Sequence, residues 1–327
     1  MASLVTGSSG FIGLNVVEAL LARGDEVVGF SDTPLPLRAL QEFARLPGKL
    51  RVVEGDVTEP GQIDAAMALH RIDRVIHGAA ITAGLERDAS DPQRIAAVNL
   101  GGTLNVLAAA RKHNIKRFVH VGTGAAYGSA GLLDGGLLDE EAHTPRPVSM
   151  YGITKYAAEG SCLRLGELWN IEAVVGRLAM VYGCWEYETG LRDQMSLPLQ
   201  ALRVAARGAE AVAPSGGELR DWIYAPDVAS ALVMLLDAKS LAHTVYNIGT
   251  GAPFTLADWC EKLRAAFPGF RYRLSDNAAE WNVIPLAAAG RSPFAAQRIR
   301  TDLGFRPEFL LDRAFDHYVA WWRAHPD

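Results

Sequence analysis

Short apolar segments alternate with longer segments whose apolar residues recur at helical spacing along the first half of the chain. The short segments, predicted as strands, are residues 2–6, 26–30, 50–54, 74–77, 117–121 and 173–177. Between them, residues 13–23, 62–70, 93–112 and 150–169 are predicted as helices. Regular alternation of this kind favours parallel strands joined by right-handed helical crossovers. The predicted fold class is therefore α/β, a doubly wound parallel sheet with helices on both faces.

The alternation stops after Tyr182, where polar and aromatic residues mix without a clear period. One more helix, residues 225–238, and one more strand, residues 244–248, resume it briefly. We therefore expect residues 1–181, together with about 225–250, to form the main domain. Residues of about 182–224 and 251–327 are expected to form a smaller substrate-binding lobe that is interleaved with this domain.

The composition excludes several classes of partner. A net charge of −5 gives no electrostatic case for nucleic acid or an anionic membrane, and the partner expected is a small-molecule substrate. No apolar run approaches the ~18 residues that span a bilayer. The 3 cysteines lack metal-ligand spacing and cannot all pair, so neither a metal site nor a disulfide framework is expected. We expect a cytoplasmic protein, since the first strand leaves no room for a signal peptide.

Three glycines follow the first strand at a spacing suited to a dinucleotide. In Gly7-x-x-Gly10-x-x-Gly13, the first glycine permits a tight turn and the second lets the backbone approach a diphosphate. The third lets the helix pack close to the strand. The helix N-terminus then offers free N–H groups to phosphate. We expect a Rossmann-type cofactor site here, with Phe11 and Ile12 also in contact with the cofactor.

A tyrosine and a lysine lie one helical turn apart in Tyr151-Gly-Ile-Thr-Lys155. An ammonium beside a phenol favours the phenolate, which lowers the pKa of the tyrosine. Such a tyrosine exchanges a proton with a substrate hydroxyl while a hydride moves to nicotinamide. Tyr151 is the predicted acid/base and Lys155 the group that tunes it.

With these motifs in place, the chain resembles the extended short-chain dehydrogenase/reductase family, in its NAD-dependent epimerase/dehydratase branch, over nearly the whole length. The remaining matches are Gly55-Asp56-Val57, His77-Gly78-Ala79-Ala80, Asn99-x-x-Gly102-Thr103, Tyr127-Gly128, Val181-Tyr182-Gly183 and Arg220-Asp221-Trp222-Ile223-Tyr224. The resemblance implies that Asp56 and Val57 hold the adenine, and that Ala79, Ala80 and Asn99 contact the cofactor. It implies that Lys155 also binds the nicotinamide ribose. Thr123 is expected to orient the substrate oxygen, with strand-end capping as its alternative role.

The second strand leaves the identity of the cofactor open. An acidic residue at its end usually binds the ribose hydroxyls of NAD. Ser31 holds that place here and Asp32 follows it. We favour NAD on account of Asp32, while Arg38 is a candidate partner for the extra phosphate of NADP.

Two departures from the family that the chain resembles limit the reactions and substrates that we expect. Dehydratases and decarboxylases of the family carry an acid directly after the catalytic Ser or Thr, whereas Gly124-Ala125 stands here. The family's diphosphate-binding Asn is replaced by Met180, and no Arg-x-Gly-Asp segment is found near the C-terminus. Arg220 remains, and Arg291 is a possible substitute from another loop. These changes disfavour dehydration and favour a smaller substrate without a nucleotide.

Three functions remain as hypotheses. The first is a dehydrogenase or reductase acting on a secondary alcohol or carbonyl of a small, polar, sugar-like molecule. The second is a UDP-sugar 4-epimerase with tightly bound NAD, and the third is a non-catalytic nucleotide sensor. Met180, Trp185, Tyr187, Arg192 and Arg220 are the predicted substrate-pocket residues. The resemblance also implies a homodimer that pairs through helices near 95–112 and 150–168, whose apolar positions occupy more than one face.

Overall fold

A computed structural model describes residues 2–131, 136–215, 219–285 and 291–325. Its strands are β1 Ala2–Thr6, β2 Glu26–Ser31, β3 Lys49–Glu54, β4 Ile72–His77, β5 Arg117–Thr123, β6 Glu172–Leu178, β7 Met180–Tyr182, β8 Glu210–Pro214, β9 Trp222–Tyr224, β10 Val245–Ile248 and β11 Arg271–Ser275. Its helices are α1 Phe11–Ala22, α2 Leu37–Phe43, α3 Pro60–His70, α4 Leu85–Ser90, α5 Pro92–Ala96, α6 Thr103–Lys112, α7 Met150–Trp169, α8 Leu197–Ala206, α9 Ala225–Asp237, α10 Leu256–Ala266, α11 Gln297–Leu303 and α12 Leu311–Ala324.

Seven strands form one parallel sheet in the order β10-β6-β5-β4-β1-β2-β3. This confirms the predicted doubly wound α/β fold. The order reverses between β1 and β4, so a crevice opens outside the carboxyl ends of these two strands. Strand β10 extends the sheet beside β6.

Both faces of the sheet are covered. Helices α1 and α9 pack together on one face, where Leu14 and Leu232 are fully buried. On the other face α3, α6 and α7 cover the sheet through residues such as Ile63 and Leu107. Among the described residues, no helix is long and apolar enough to cross a membrane.

The remaining chain adds two small parallel pairs, β7 with β9 and β8 with β11, beyond the carboxyl edge of the sheet. Their apolar residues join the same buried cluster as α1 and α9, which also contains the fully buried Trp259. The lobe therefore shares a core with the main sheet. The proposed division at about 182–224 and 251–327 remains a prediction, and residues 216–218, 286–290 and 326–327 within it lie outside the described residues.

One predicted element is divided. Residues 93–112 were expected to form one helix, but they form α5, a π-helical segment over Ala97–Gly102, and α6. The π-segment contains Asn99, whose fully buried side chain is turned towards the loop after β4. A local widening of the helix at a functional segment is common.

Candidate active site

The crevice at the sheet edge is a cavity of about 520 Å³. It runs from the end of β2, past the glycine loop and α7, to the lobe at Arg220 and Trp222. Most of the residues predicted for the site line it: Gly7, Gly10, Phe11, Ile12, Gly13, Ser31, Asp32, Asp56, Val57, Ala79, Ala80, Thr123, Tyr151, Lys155, Met180, Tyr187, Arg192 and Arg220.

The glycine loop has the geometry that a diphosphate requires. Gly7 adopts a φ of +70°, and a Cβ on Gly13 would lie 2.0 Å from the Gly7 carbonyl oxygen. The N-cap of α1 is Gly10, and no side chain caps it. The first N–H groups of α1 are therefore left for a ligand, and this cradle fits the pyrophosphate of NAD.

Hydroxyl groups surround the end of β2. The Ser9 hydroxyl lies 2.8 Å from Ser31 Oγ and 2.8 Å from Thr33 Oγ1, and Asp32 projects beside them as an exposed carboxylate. Arg38 is directed elsewhere, because its guanidinium donates to the Ala324 carbonyl and lies over Trp321. The available groups at this end suit the ribose hydroxyls of NAD.

Asp56 is held at the opposite wall of the same end. It forms an ion pair with Arg94 at 2.9 Å and accepts a hydrogen bond from the Thr58 N–H. Partial burial raises the pKa of Asp56, but the hydrogen bonds from Thr58 and Arg94 outweigh it and leave the pKa below its usual value. Asp56 therefore stays a carboxylate at neutral pH.

The reacting groups lie at the middle of the cavity. Helix α7 begins immediately before Tyr151, where Ser149 caps it by accepting the Gly152 N–H. Lys155 is only 3% exposed, and burial lowers its pKa to about 8. Thr123 ends β5, and its oxygen accepts the Ala125 N–H at 3.1 Å. The hydroxyl proton of Thr123 remains available to a substrate oxygen, so capping and orientation are compatible.

Two predicted site residues do not line the cavity. Asn99 is buried, and its amide accepts the Ile81 N–H at 2.8 Å and donates to the Ile81 carbonyl at 3.1 Å. It thereby fixes the loop that carries Ala79 and Ala80. Trp185 packs between Phe43 and Trp321 and donates to Glu18, in the core behind α1. The assignment of Trp185 to the substrate pocket is therefore wrong in placement, because this ring serves the core.

Tyr187 and Arg192 lie nearer the glycine loop than expected. The Tyr187 hydroxyl donates to the Ser9 carbonyl at 2.7 Å. Arg192 lies 5.0 Å over the Phe11 ring and pairs with the buried Glu186. Both residues brace the glycine loop from the lobe side. Met180 and Arg220 lie farther along, with 3.7 Å between Sδ and Nη1.

Arg291 is a site residue that motif spacing did not locate. A Cβ on Gly124 would lie 2.9 Å from Arg291 Nη1 and 2.6 Å from the Phe294 ring. The dehydratase acid position is thus filled by an arginine and an aromatic ring from the lobe. Other residues that line the cavity, without any motif to indicate them, are Met195, Ser196, Leu197 and Trp222.

Fold and site together define an enzyme of the dinucleotide-dependent oxidoreductase class. Residues 3–249 match the NAD-dependent epimerase/dehydratase family, and the chain belongs to this family. It is therefore an NAD-dependent enzyme, which confirms the expected cofactor.

Several characterised proteins are similar over the full length. A dTDP-glucose 4,6-dehydratase of Actinoplanes sp. is 30% identical over 99% of this chain and 98% of the relative. The structure of UDP-glucose 4-epimerase with UDP-glucose from Thermotoga maritima has a TM-score of 0.82 at 25% identity, covering 100% of both chains. The structure of MoeE5 in complex with UDP-glucuronic acid and NAD has a TM-score of 0.79 at 25% identity, covering 99% of both chains.

Proposed function

We propose that this protein is a nucleotide-sugar epimerase that oxidises and re-reduces one ring carbon, carbon 4, without dehydration. The observation that carries the proposal is the set of Thr123, Tyr151 and Lys155 in one cavity with the glycine loop. No acid follows Thr123, because Gly124 and Ala125 occupy those positions. The known relatives act on nucleotide sugars, and Arg220 lies in the cavity as a cation for a diphosphate. A nucleotide-linked substrate therefore replaces the smaller substrate that the sequence favoured.

The cofactor and the three residues each have a separate role in the proposed reaction. Bound NAD supplies a hydride acceptor and, in the second half of the reaction, a hydride donor. Tyr151 takes the proton of the substrate hydroxyl and returns it, which is general acid/base catalysis. Thr123 donates a hydrogen bond to the same oxygen and fixes its direction. The buried ammonium of Lys155 favours the negative charge that develops on the phenol.

Two measurements test the proposal: the NAD that the denatured protein releases, and the product that the native protein forms. The purified protein is denatured to release NAD, and the native protein is incubated with UDP-glucose, UDP-galactose, UDP-glucuronic acid and dTDP-glucose. We expect a C4 epimer to form without net reduction of cofactor. Net formation of reduced cofactor supports the dehydrogenase hypothesis instead, and a 4-keto-6-deoxy product contradicts the exclusion of dehydration.

Tyr151→Phe gives the residue-level test. The change removes the hydroxyl that exchanges the proton, so we expect turnover to fall by roughly 100-fold or more, within the range for general acid/base groups, while NAD remains bound. Tyr156→Phe is the matched control, since Tyr156 is half-buried on the same helix and does not line the cavity. Equal activity in the two variants refutes the assignment of Tyr151.

We also propose a homodimer in the cytoplasm. Leu104 on α6 and Ile153 and Leu168 on α7 are exposed apolar residues, at 38%, 45% and 57%. The two helices are neighbours with their carboxyl ends together, since Arg111 lies 5.0 Å over the Trp169 ring. A second copy would cover these side chains. All three cysteines are free, buried thiols, which suits a reducing compartment.

A further inference from the structure

Arg291 is an active-site cation that has no counter-ion among the residues described by the structure. Its side chain is half-buried and lines the cavity, with Cγ 3.3 Å from the Cβ position of Gly131. Among the described residues, no carboxylate or other acceptor hydrogen-bonds its guanidinium. Arg177, by contrast, is paired with Glu159. An arginine that is partly withdrawn from water normally has a partner, because leaving the charge unpaired is costly.

The position of this cation is fixed by the backbone around it. The Ser292 N–H donates to the Gly131 carbonyl at 3.0 Å, and the Phe294 N–H donates to Asp221 at 3.0 Å. Phe294 also packs on Tyr127, with ring centroids 5.7 Å apart. Arg291 is therefore held by the segment that carries it, and a glycine at position 124 leaves space for its guanidinium.

The charge lies close to the catalytic hydroxyl. Burial lowers the pKa of Arg291 to about 10, the neighbouring Tyr151 raises it, and Arg220 lowers it further. Arg291 thus remains charged at neutral pH and interacts electrostatically with both residues. It adjoins Gly124, the residue directly after Thr123, so it faces the part of the substrate next to the oxygen that Thr123 and Tyr151 bind.

The numbering of the sugar ring shows which groups of the substrate lie next to the oxygen that reacts. When carbon 4 reacts, its ring neighbours are carbon 3, with a neutral hydroxyl, and carbon 5, which carries carbon 6. The diphosphate is attached to carbon 1, across the ring. A negative charge beside the reacting oxygen must therefore be a carboxylate at carbon 6. A guanidinium suits a carboxylate because its parallel N–H groups bind both oxygens.

We propose that Arg291 is a specificity-determining residue that binds the carbon 6 carboxylate of a nucleotide-linked uronic acid. The proposal rests on the proposed function and adds the substrate class to it. A uronate would supply the counter-ion that Arg291 lacks among the described residues. The fold holds such a ligand in the MoeE5 complex with UDP-glucuronic acid.

The test compares UDP-glucuronic acid with UDP-glucose, which differ only at carbon 6. We expect the unmodified enzyme to prefer the uronate in kcat/KM. Arg291→Met should reduce kcat/KM for the uronate by about 10- to 150-fold, the value of a charge-assisted hydrogen bond. The same change should lower kcat/KM less for UDP-glucose than for the uronate, because UDP-glucose has no carboxylate for Arg291 to bind. Arg207→Met, on the exposed end of α8, is the control and should change neither.

Other outcomes overturn the proposal in distinguishable ways. If Arg291→Met lowers kcat/KM equally for both substrates, Arg291 binds the diphosphate. If the unmodified enzyme prefers UDP-glucose, the uronate class is wrong. If neither substrate is turned over, the proposed function fails, and calorimetric Kd values with the NAD-loaded enzyme still decide the inference: equal affinity for the two ligands refutes it.

A second variant guards against misfolding of Arg291→Met. Gly124→Ala adds a methyl group against Arg291 and Phe294 and should displace the guanidinium, because 2.9 Å is shorter than a normal contact. We expect a selective loss with the uronate there as well, with an unchanged circular dichroism spectrum. Unchanged selectivity in a folded Gly124→Ala protein contradicts the placement of Arg291.

Discussion

Lys155 shows at the level of a single residue how function opposes stability. The ammonium is buried and its pKa falls from 10.5 to about 8, so folding weakens its hold on the proton. Below pH 8 Lys155 is charged in both the folded and the unfolded chain, so the full free-energy cost of burying its charge destabilises the fold. Between pH 8 and 10.5 the penalty disappears, since the folded form has already lost the proton.

Lys155→Met is therefore expected to stabilise the cofactor-free protein while abolishing turnover. At 1.36 kcal/mol for each pKa unit, the gain in unfolding free energy at pH 7 is about 3 kcal/mol. Urea unfolding at pH 7 and pH 10 measures it, with the exposed Lys112→Met as control. A gain that does not shrink at pH 10, or no gain at pH 7, contradicts the role of burial.

At the level of elements, the catalytic helix is tied to the cofactor wall through the π-segment. Asn99 donates to Thr154 Oγ1 at 3.1 Å on α7 while holding the backbone of Ile81. Thr103 donates to the Asn99 carbonyl, and its hydroxyl lies 2.9 Å from His77 Nε2 at the end of β4. One buried network therefore joins β4, the π-segment and the helix that carries Tyr151 and Lys155.

Asn99→Ala is expected to loosen this junction. It leaves the Ile81 N–H and carbonyl without partners, which costs about 3 kcal/mol of unfolding free energy. The affinity for NAD should fall too, because Ala79 and Ala80 precede the freed backbone. Asn105→Ala, which removes one bond to the Val57 carbonyl, is the control and should cost about 1 kcal/mol. Equal losses in urea titrations of the two variants disagree with this role.

Elements with a clear local period could be predicted from sequence, and those defined by tertiary contacts could not. The strands β1 to β6 and helix α7 follow from the alternation of short apolar segments with segments of helical period. The π-segment could not be predicted, since its widening depends on Asn99 meeting Ile81 across the fold. Trp185 was misplaced because an aromatic residue in a polar stretch looks the same in sequence whether it faces a ligand or a core. The sequence indicated Arg291 only as a candidate cation for the substrate. Its position next to Gly124 could not be predicted, because the two residues come together only in the folded chain.

At the level of the whole molecule, the described structure leaves the face formed by α6 and α7 with exposed apolar side chains. Leu104 lies at the start of α6 and Ile153 in the first turn of α7, so the two side chains belong to adjacent ends of neighbouring helices. Leu168 lies near the other end, beside the contact between Arg111 and Trp169. The exposed residues therefore extend along the face, which suits pairing with the same face of a second copy.

Charge on this face is expected to separate the subunits. In the double variant Leu104→Glu, Ile153→Glu, like charges would meet across a two-fold interface and a desolvated carboxylate would lack a partner. Light scattering should then give the single-chain mass of 35.2 kDa, and the unmodified protein twice that value. Leu37→Glu, on α2, also replaces an exposed leucine (78%) and should leave the dimer intact. If the unmodified protein is a monomer, or the double variant stays dimeric, pairing through α6 and α7 is refuted. Because Tyr151 and Lys155 are carried by α7, loss of the dimer should also reduce turnover, measurable on the separated monomer.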